Sequence, residues 1–214
     1  MAAEAASAPA NRFERRRRQN RAALLEAAIE LFQQQGIRAT RLEEICERAD
    51  VAPRTFFNHF ETREHLYQAI AEQRARQLAE RFDGLAADAR PLPERLAGLL
   101  RELGRYLDAR PLYRELVGEM LSLRARDGSE IARGRSLGGA VLRLVEAAVA
   151  RGEITARHAP EVIADILIGT LMAALVNWCA SDDFELEPEL TRAADALLDL
   201  LAPSAQASPG AVAG

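Results

Sequence analysis

The 214-residue sequence lacks lysine altogether: all 28 basic side chains are arginine. With alanine and leucine abundant, this reads as compositional bias rather than a functional choice. Cysteine is scarce too. Cys46 and Cys179 lie far apart, with no CxxC and no Cys/His cluster. That argues against a disulfide framework or a zinc site, so no metal and no cofactor are expected, and a reducing cytoplasm is the expected compartment. No uninterrupted membrane-length apolar run occurs. The longest, IADILIGTLMAALVNW (163–178), contains Asp165 and falls short of the ~20 residues of a spanning helix, so no membrane partner is expected. The N-terminal MAAEAASAPANRFERRRR has no apolar segment of the kind a secretory signal needs. HExxH, GxSxG, a phosphate loop and paired carboxylates with histidine are all missing, so no catalytic residue can be named. GRSLGG (134–139) has serine and glycines but falls in a helical pattern with no strand before it. A helical enzyme acting on an apolar small molecule is thereby reduced to a remote alternative.

What is present is helix. Apolar residues make up 49% of the chain, enough for a core, and their spacing is helical almost throughout. Leu25, Ala28, Ile29 and Phe32 form a stripe over 20–35, stopped by Gly36. TRLE (40–43) reads as a capping box opening a second helix over about 41–48, with Glu43 reaching back. Ala49-Asp50-Val51 is a small turn, and Pro53 suits the first position of a short third helix. Thr62 can cap a fourth. Further helices are expected over 92–107, 111–124, 129–151, 158–180 and 188–201. No strand-like alternation appears, and the fold class is all-α. The small, Pro/Gly-containing end 203–214 is expected to be a disordered tail.

Charge is unevenly distributed. Residues 1–66 hold 11 arginines against 10 acidic residues (+1), and the remainder 17 against 22 (−5). The basic excess gathers at Arg12, the run Arg15–Arg18 and Arg21. A locally basic end on an acidic body lets one end approach phosphates while the other repels them, although such a run is also a common solvated arm.

Two short helices joined by a tight turn and packed on a longer first helix form a helix-turn-helix candidate. In VAPRTFFNHF (51–60), Phe56 and Phe60 lie four apart on a core face. Arg54 and Asn58 lie four apart on the opposite one, with Thr55 and His59 beside them. These side-chain types read base edges: arginine for guanine, asparagine for adenine, threonine for a thymine methyl or a phosphate. His59 could equally be an ordinary partly buried histidine, and Cys46 reads as a small buried hydrophobe.

The run AIELFQQQGIRATRLEEICERADVAPRTFFNHFETREHL (28–66) resembles the DNA-binding domain of the TetR family of bacterial transcriptional regulators. The shared features are ELF…G in the first helix, Thr40…Ile45 in the second, VAPRTFFNHF as the third, and Arg63…Leu66 opening the fourth. The resemblance implies an N-terminal three-helix helix-turn-helix DNA-binding domain followed by a helical ligand-binding and dimerisation domain. The expected organisation is a basic flexible arm (1–19), the DNA-binding domain (20–66), the helical body (67–202) and the tail (203–214). Carried over by position, Pro53, Arg54, Thr55, Asn58 and His59 would face DNA from the recognition helix. Thr40 and Arg41 would approach phosphate from the second helix, and Arg63 from the fourth. Ala52, Arg54 and Phe57 stand where the family commonly has serine, glycine and tyrosine. Phe57 packs either against DNA, on sugar or a thymine methyl, or into the core.

A recognition helix of seven residues spans only about 10 Å, so useful specificity calls for two copies on a palindromic operator. The resemblance places the homodimer contact on the last two long helices. Gly169 and Ala173, four apart on an apolar helix, would let a partner helix come close. The resemblance also implies a small-molecule inducer, for which Tyr106, Tyr113, Met120, Asn177 and Trp178 are the candidate pocket residues, with Arg124 and His158 as possible partners for an anionic group. The function implied is a ligand-responsive dimeric repressor released from its operator by the inducer. An activator, or a ligand-independent regulator of the same fold, is the alternative.

Overall fold

The computed structural model describes residues 12–127 and 137–203. The expected tail beyond Pro203, the first eleven residues and the first half of GRSLGG fall outside them. Among the described residues every regular element is helical: α1 Arg12–Gln35, α2 Leu42–Arg48, α3 Pro53–Phe57, α4 Arg63–Ala87, α5 Leu92–Asp108, α6 Tyr113–Asp127, α7 Leu137–Ala150, α8 Pro160–Ala180 and α9 Leu186–Leu201. The chain divides into two compact units between Ile70 and Ala71. That is four residues later than the sequence suggests, because Leu66, Tyr67, Ala69 and Ile70 of α4 are buried. Tyr67 meets Phe32 of α1 edge-on at 5.7 Å.

In the first unit, α1 begins at Arg12, so residues 12–19 are not a flexible arm. Arginine is a good helix former, no glycine or proline interrupts 12–35, and Glu14 in the first turn complements the helix dipole. The core of this unit joins Leu24, Ala28 and Phe32 to Ile45, Phe56, Leu66 and Ile70. Gly36 ends α1 with φ of 80°, a conformation that glycine adopts without strain.

The expected capping box is shifted by one residue. Thr40 is buried and its hydroxyl donates to the Gly36 carbonyl at 2.7 Å. Arg41 is the N-cap, and Glu44, not Glu43, accepts its backbone N–H at 2.8 Å. Only this half of a box forms, since a guanidinium has no acceptor for the return bond. Gln35 also donates to Glu44 at 3.0 Å, which fixes the start of α2 on α1.

In the second unit, α5 and α9 cross closely at Gly104, where an added Cβ would lie 2.4 Å from the Glu187 Cα. Gly104→Ala should therefore destabilise the protein by roughly 1–3 kcal/mol, the usual cost of overpacking against backbone. An unchanged thermal midpoint would show that the crossing yields. One turn on, the Asp108 carboxylate accepts the backbone N–H of Leu186 at 3.0 Å and of Glu187 at 2.9 Å, and the Trp178 indole N–H at 2.9 Å. This tertiary cap starts α9 two residues earlier than its sequence suggests. Buried Arg95 pairs with Glu153 and, with Arg151, caps the last carbonyls of α4.

Helix α8 runs 21 residues and is long and apolar enough, by length and composition, to cross a membrane, contrary to the shorter run read from sequence. Pro160 at its first position and Ala180 at its end extend it at both sides. Ile163, Leu171, Ala174 and Trp178 are buried, whereas Val162, Ile166 and Val176 are 50%, 49% and 52% exposed.

Candidate nucleic-acid interface

The geometry of 45–60 follows from a short list of backbone constraints. At the end of α2, Asp50 N–H donates to the Glu47 carbonyl at 3.1 Å and Val51 N–H to the Cys46 carbonyl at 3.0 Å. These two bonds make a Schellman motif with Asp50 in the left-handed region at φ 53°. The chain reverses, and Pro53 starts α3 with its missing N–H in the one position where none is needed.

Helix α3 is shorter than expected, ending at Phe57. Asn58 stays in right-handed helical geometry at φ −73°, ψ −15°. His59 and Phe60 both donate to the Phe56 carbonyl, at 2.8 and 2.9 Å. The side-chain pattern therefore continues as a helix through Phe60. Phe56 is 0% and Phe60 2% exposed, with ring centroids 5.4 Å apart, and they seat the element on its neighbours. Pro53, Arg54, Phe57 and Asn58 form the exposed face, with Thr55 and His59 half-buried at its margin. Phe57 points outward, 55% exposed, with its ring edge-on to Phe56 at 5.5 Å.

Two residues expected at phosphate are committed elsewhere. Thr40 is buried, as described above. Arg63 donates from one nitrogen to the carbonyls of Ile37 at 3.0 Å and Thr40 at 2.9 Å, its Nε buried without a partner. It pins the α1–α2 turn to the start of α4. Arg41 remains exposed at the start of α2.

Conversely, sequence reading passed over the place of Arg17 and Arg21. The Arg21 guanidinium lies 5.2 Å from the Phe60 ring centre, a cation–π distance. Burial, followed by the positive charges of Arg17 and Arg21, holds the His59 imidazole below its ordinary pKa. His59 is thus neutral at pH 7, able to donate or accept one hydrogen bond. Arg17 and Arg21 lie four apart on α1 and share the face that meets the end of the recognition helix, and Arg12, Arg15, Arg16 and Arg18 are exposed on the same helix. The i,i+4 spacing of Arg17 and Arg21 was the available signal, hidden by starting the helix at residue 20.

The candidate ligand residues do not converge. Trp178 is fully buried with its N–H spent on Asp108 and Arg114 stacked over its ring at 4.9 Å. Asn177 is exposed, Met120 half-buried, and Tyr106 and Tyr113 sit at the α5–α6 turn. Arg124 lies outside the described side chains, and His158 is exposed before α8. An apolar cavity of about 30 Å³ lies instead among α4, α5, α7, α8 and α9, lined by Phe82, Leu100, Val141, Leu171, Leu197 and the Thr170 side chain among others. Its lining alternates with core contacts of the same helices, so periodicity alone could not separate the two.

Burial raises the pKa of the Cys46 thiol and pushes that of Cys179 up to about 11, so both are protonated and chemically quiet. Among the described residues no group of three metal-ligating side chains occurs.

Residues 24–70 match the family model described as bacterial regulatory proteins, tetR family. The HTH-type transcriptional repressor KstR of Rhodococcus jostii is 28% identical over 178 residues, 81% of each chain. The HTH-type transcriptional regulator TcmR of Streptomyces glaucescens is 43% identical over 53 residues, 25% of this chain and 24% of its own. Among solved structures, RolR in complex with resorcinol superposes with a TM-score of 0.64 at 25% identity, covering 88% of this chain and 90% of that one. With the helix-turn-helix formed as described, residues 24–70 are similar to the DNA-binding part of the tetR family of bacterial regulatory proteins, and most of the chain is similar to KstR and, in fold, to RolR.

Proposed function

We propose that the protein is a homodimeric repressor that binds a palindromic operator in the cytoplasm and is released by a small-molecule effector. The observation that carries this reading is the division of 53–60 into a buried pair, Phe56 and Phe60, and an exposed face of Pro53, Arg54, Phe57 and Asn58. Arg54 and Asn58 supply the base-reading hydrogen bonds. Phe57 supplies apolar contact to a thymine methyl or a sugar, and Arg41, Thr55 and His59 flank them. The repressor assignment is supported by the similarity to KstR.

The dimer contact is assigned to α8 and α9. Val162, Ile166, Gly169, Ala173 and Val176 fall on one face of α8. Three are large exposed apolar residues, and two are small enough for a close helix approach. Leu200 of α9, 78% exposed, extends the apolar surface. A monomer would leave this stripe in water.

The effector site is assigned to the apolar cavity, by analogy with the resorcinol complex of RolR. At about 30 Å³ it has room for little more than water, so an effector must widen it. That coupling is the source of release: a ligand shifts the equilibrium only by binding the non-DNA conformation more tightly.

The experiment is a gel-shift with genomic fragments bound and recovered by the protein, repeated with candidate apolar effectors. Sequence-selective retention abolished by an effector supports the reading, and retention of all fragments alike overturns it. The exposed arginine run makes a separate prediction. Replacing Arg15–Arg18 by glutamine should weaken binding to operator and unrelated duplexes equally, and reduce the salt slope by about 0.9 for each phosphate no longer neutralised. An unchanged slope would return these arginines to a merely solvated face.

A further inference from the structure

The chain has one tryptophan, Trp178. It is wholly buried, although Val176, two residues before it, is half exposed. Two charged side chains flanking the turn between α5 and α6 hold it. The Asp108 carboxylate, at the end of α5, accepts three N–H groups. Oδ1 takes the Trp178 indole at 2.9 Å and the Leu186 backbone at 3.0 Å, and Oδ2 takes the Glu187 backbone at 2.9 Å. Arg114, near the start of α6, lies 4.9 Å from the Trp178 ring centre. Its Nη1 donates to the Ser181 carbonyl and the Asp182 carboxylate, both at 2.8 Å, and its Nη2 to the Phe184 carbonyl at 3.2 Å. The connection between α8 and α9 is thus clamped from both sides of a single turn.

The bonds to Asp108 constrain two separate motions. The indole bond fixes the rotation of α8 about its axis, with Ile163, Leu171, Ala174 and Trp178 inward and Val162, Ile166 and Val176 outward. The two backbone bonds fix where α9 starts, beside the close approach of Glu187 to Gly104. A carboxylate suits this position because it only accepts, and three donors converge on it. In an isologous contact each subunit's geometry is repeated in its partner, so a misplaced α8 or α9 enters twice. We infer that Asp108 and Arg114 are positioning residues for self-association. From the buried side of α8 they hold α8 and α9 in the arrangement on which a second copy of this chain docks. The inference rests on the assignment of the dimer contact to α8 and α9.

Asp108→Asn tests this in the full chain at nearly constant volume. The amide keeps one acceptor oxygen and places an NH₂ group where the other stood, so at least one of the three donors loses its acceptor. Part of the population then leaves the docking arrangement, and the apparent dimer affinity falls with the fraction that remains. Sedimentation over a concentration series, well below the unfolding temperature, should show a dimer dissociation constant raised about ten-fold, the loss of one hydrogen bond to a charged group. Trp178, as the one tryptophan, reports the same event: its emission should move to longer wavelength and acrylamide should quench it more. Trp178→Phe keeps a ring in place and leaves the α9 bonds intact. It should raise the dimer constant about five-fold, and it is the deciding variant if Asp108→Asn loses helical content. A lower thermal midpoint with an unchanged dimer constant overturns the inference, because Asp108 would then be a stabilising cap alone. An unchanged Trp178 signal in Asp108→Asn overturns it too. Ile166→Glu separates this result from the dimer assignment itself. If wild type is dimeric and Ile166→Glu is not, that assignment stands and the Asp108 and Trp178 variants alone decide. If wild type is a monomer, or Ile166→Glu stays dimeric, both fall.

Discussion

Ile166→Glu should convert the protein to a monomer and lower operator affinity by about two orders of magnitude or more, because linking two recognition helices in one particle is worth ~10²–10⁴ in avidity. Ile166 stands at the middle of the exposed α8 stripe, 49% exposed, three residues before Gly169. A carboxylate there has no positive partner on its own face, where the neighbours are Val162, Gly169 and Ala173. In a symmetric contact the same charge is introduced twice against an apolar surface. Ile166 is already half exposed within one chain, so helical content should be retained. Sedimentation checks the mass, and a titration of operator checks the affinity. A variant that remains dimeric with full affinity would remove α8 from the interface.

Arg54→Ala and Asn58→Ala act on a different property. Each should cost about 1–3 kcal/mol of operator binding, roughly five- to 150-fold, with little change in affinity for unrelated duplexes. Both residues are exposed, so neither variant should alter folding or dimer mass. Phe57→Ala provides a graded comparison. Its ring contributes apolar contact without a base-specific hydrogen bond, so the discrimination lost should be smaller. If Arg54→Ala and Asn58→Ala bind the operator as wild type does at matched salt, the exposed face of α3 is not the reading surface.

Burial was the property most legible in the sequence. Phe56 and Phe60 at i,i+4, the stripe through Phe32, and Gly36 at the helix end depend on local periodicity and backbone preference, and they hold in the structure. What polar groups do was much less legible. Thr40 and Arg63 look like phosphate contacts by position, yet their hydrogen-bonding groups are consumed by backbone carbonyls at Gly36, Ile37 and Thr40. Whether a donor faces outward depends on which carbonyls the neighbouring turn leaves open, and that is a tertiary fact. Trp178 illustrates the same point: its partner, Asp108, lies 70 positions away, and nothing in the spacing announces it. Helix ends were uncertain where an arginine-rich stretch carried no apolar stripe. Residues 12–19 are helical and exposed, so hydrophobic periodicity has nothing to report there.

The Ala52, Arg54 and Phe57 departures now have structural settings. Ala52 caps α3 without a side-chain bond, and Pro53 alone sets its start. Arg54 projects a guanidinium from the exposed face, adding reach at a position where the family commonly has none. Phe57 occupies the same face with an apolar ring, which favours thymine methyls over a phosphate hydrogen bond.

The central claim is that two copies of the 53–60 face read a symmetric DNA site. Selection of bound genomic fragments by the purified full chain, followed by footprinting of the enriched sequence, tests it most directly. The account predicts an inverted repeat whose half-site centres lie about one helical turn, or a multiple of it, apart, with protection lost in the Asn58→Ala variant. Fragments enriched without a common sequence, or a protected site indifferent to Asn58→Ala, would contradict it.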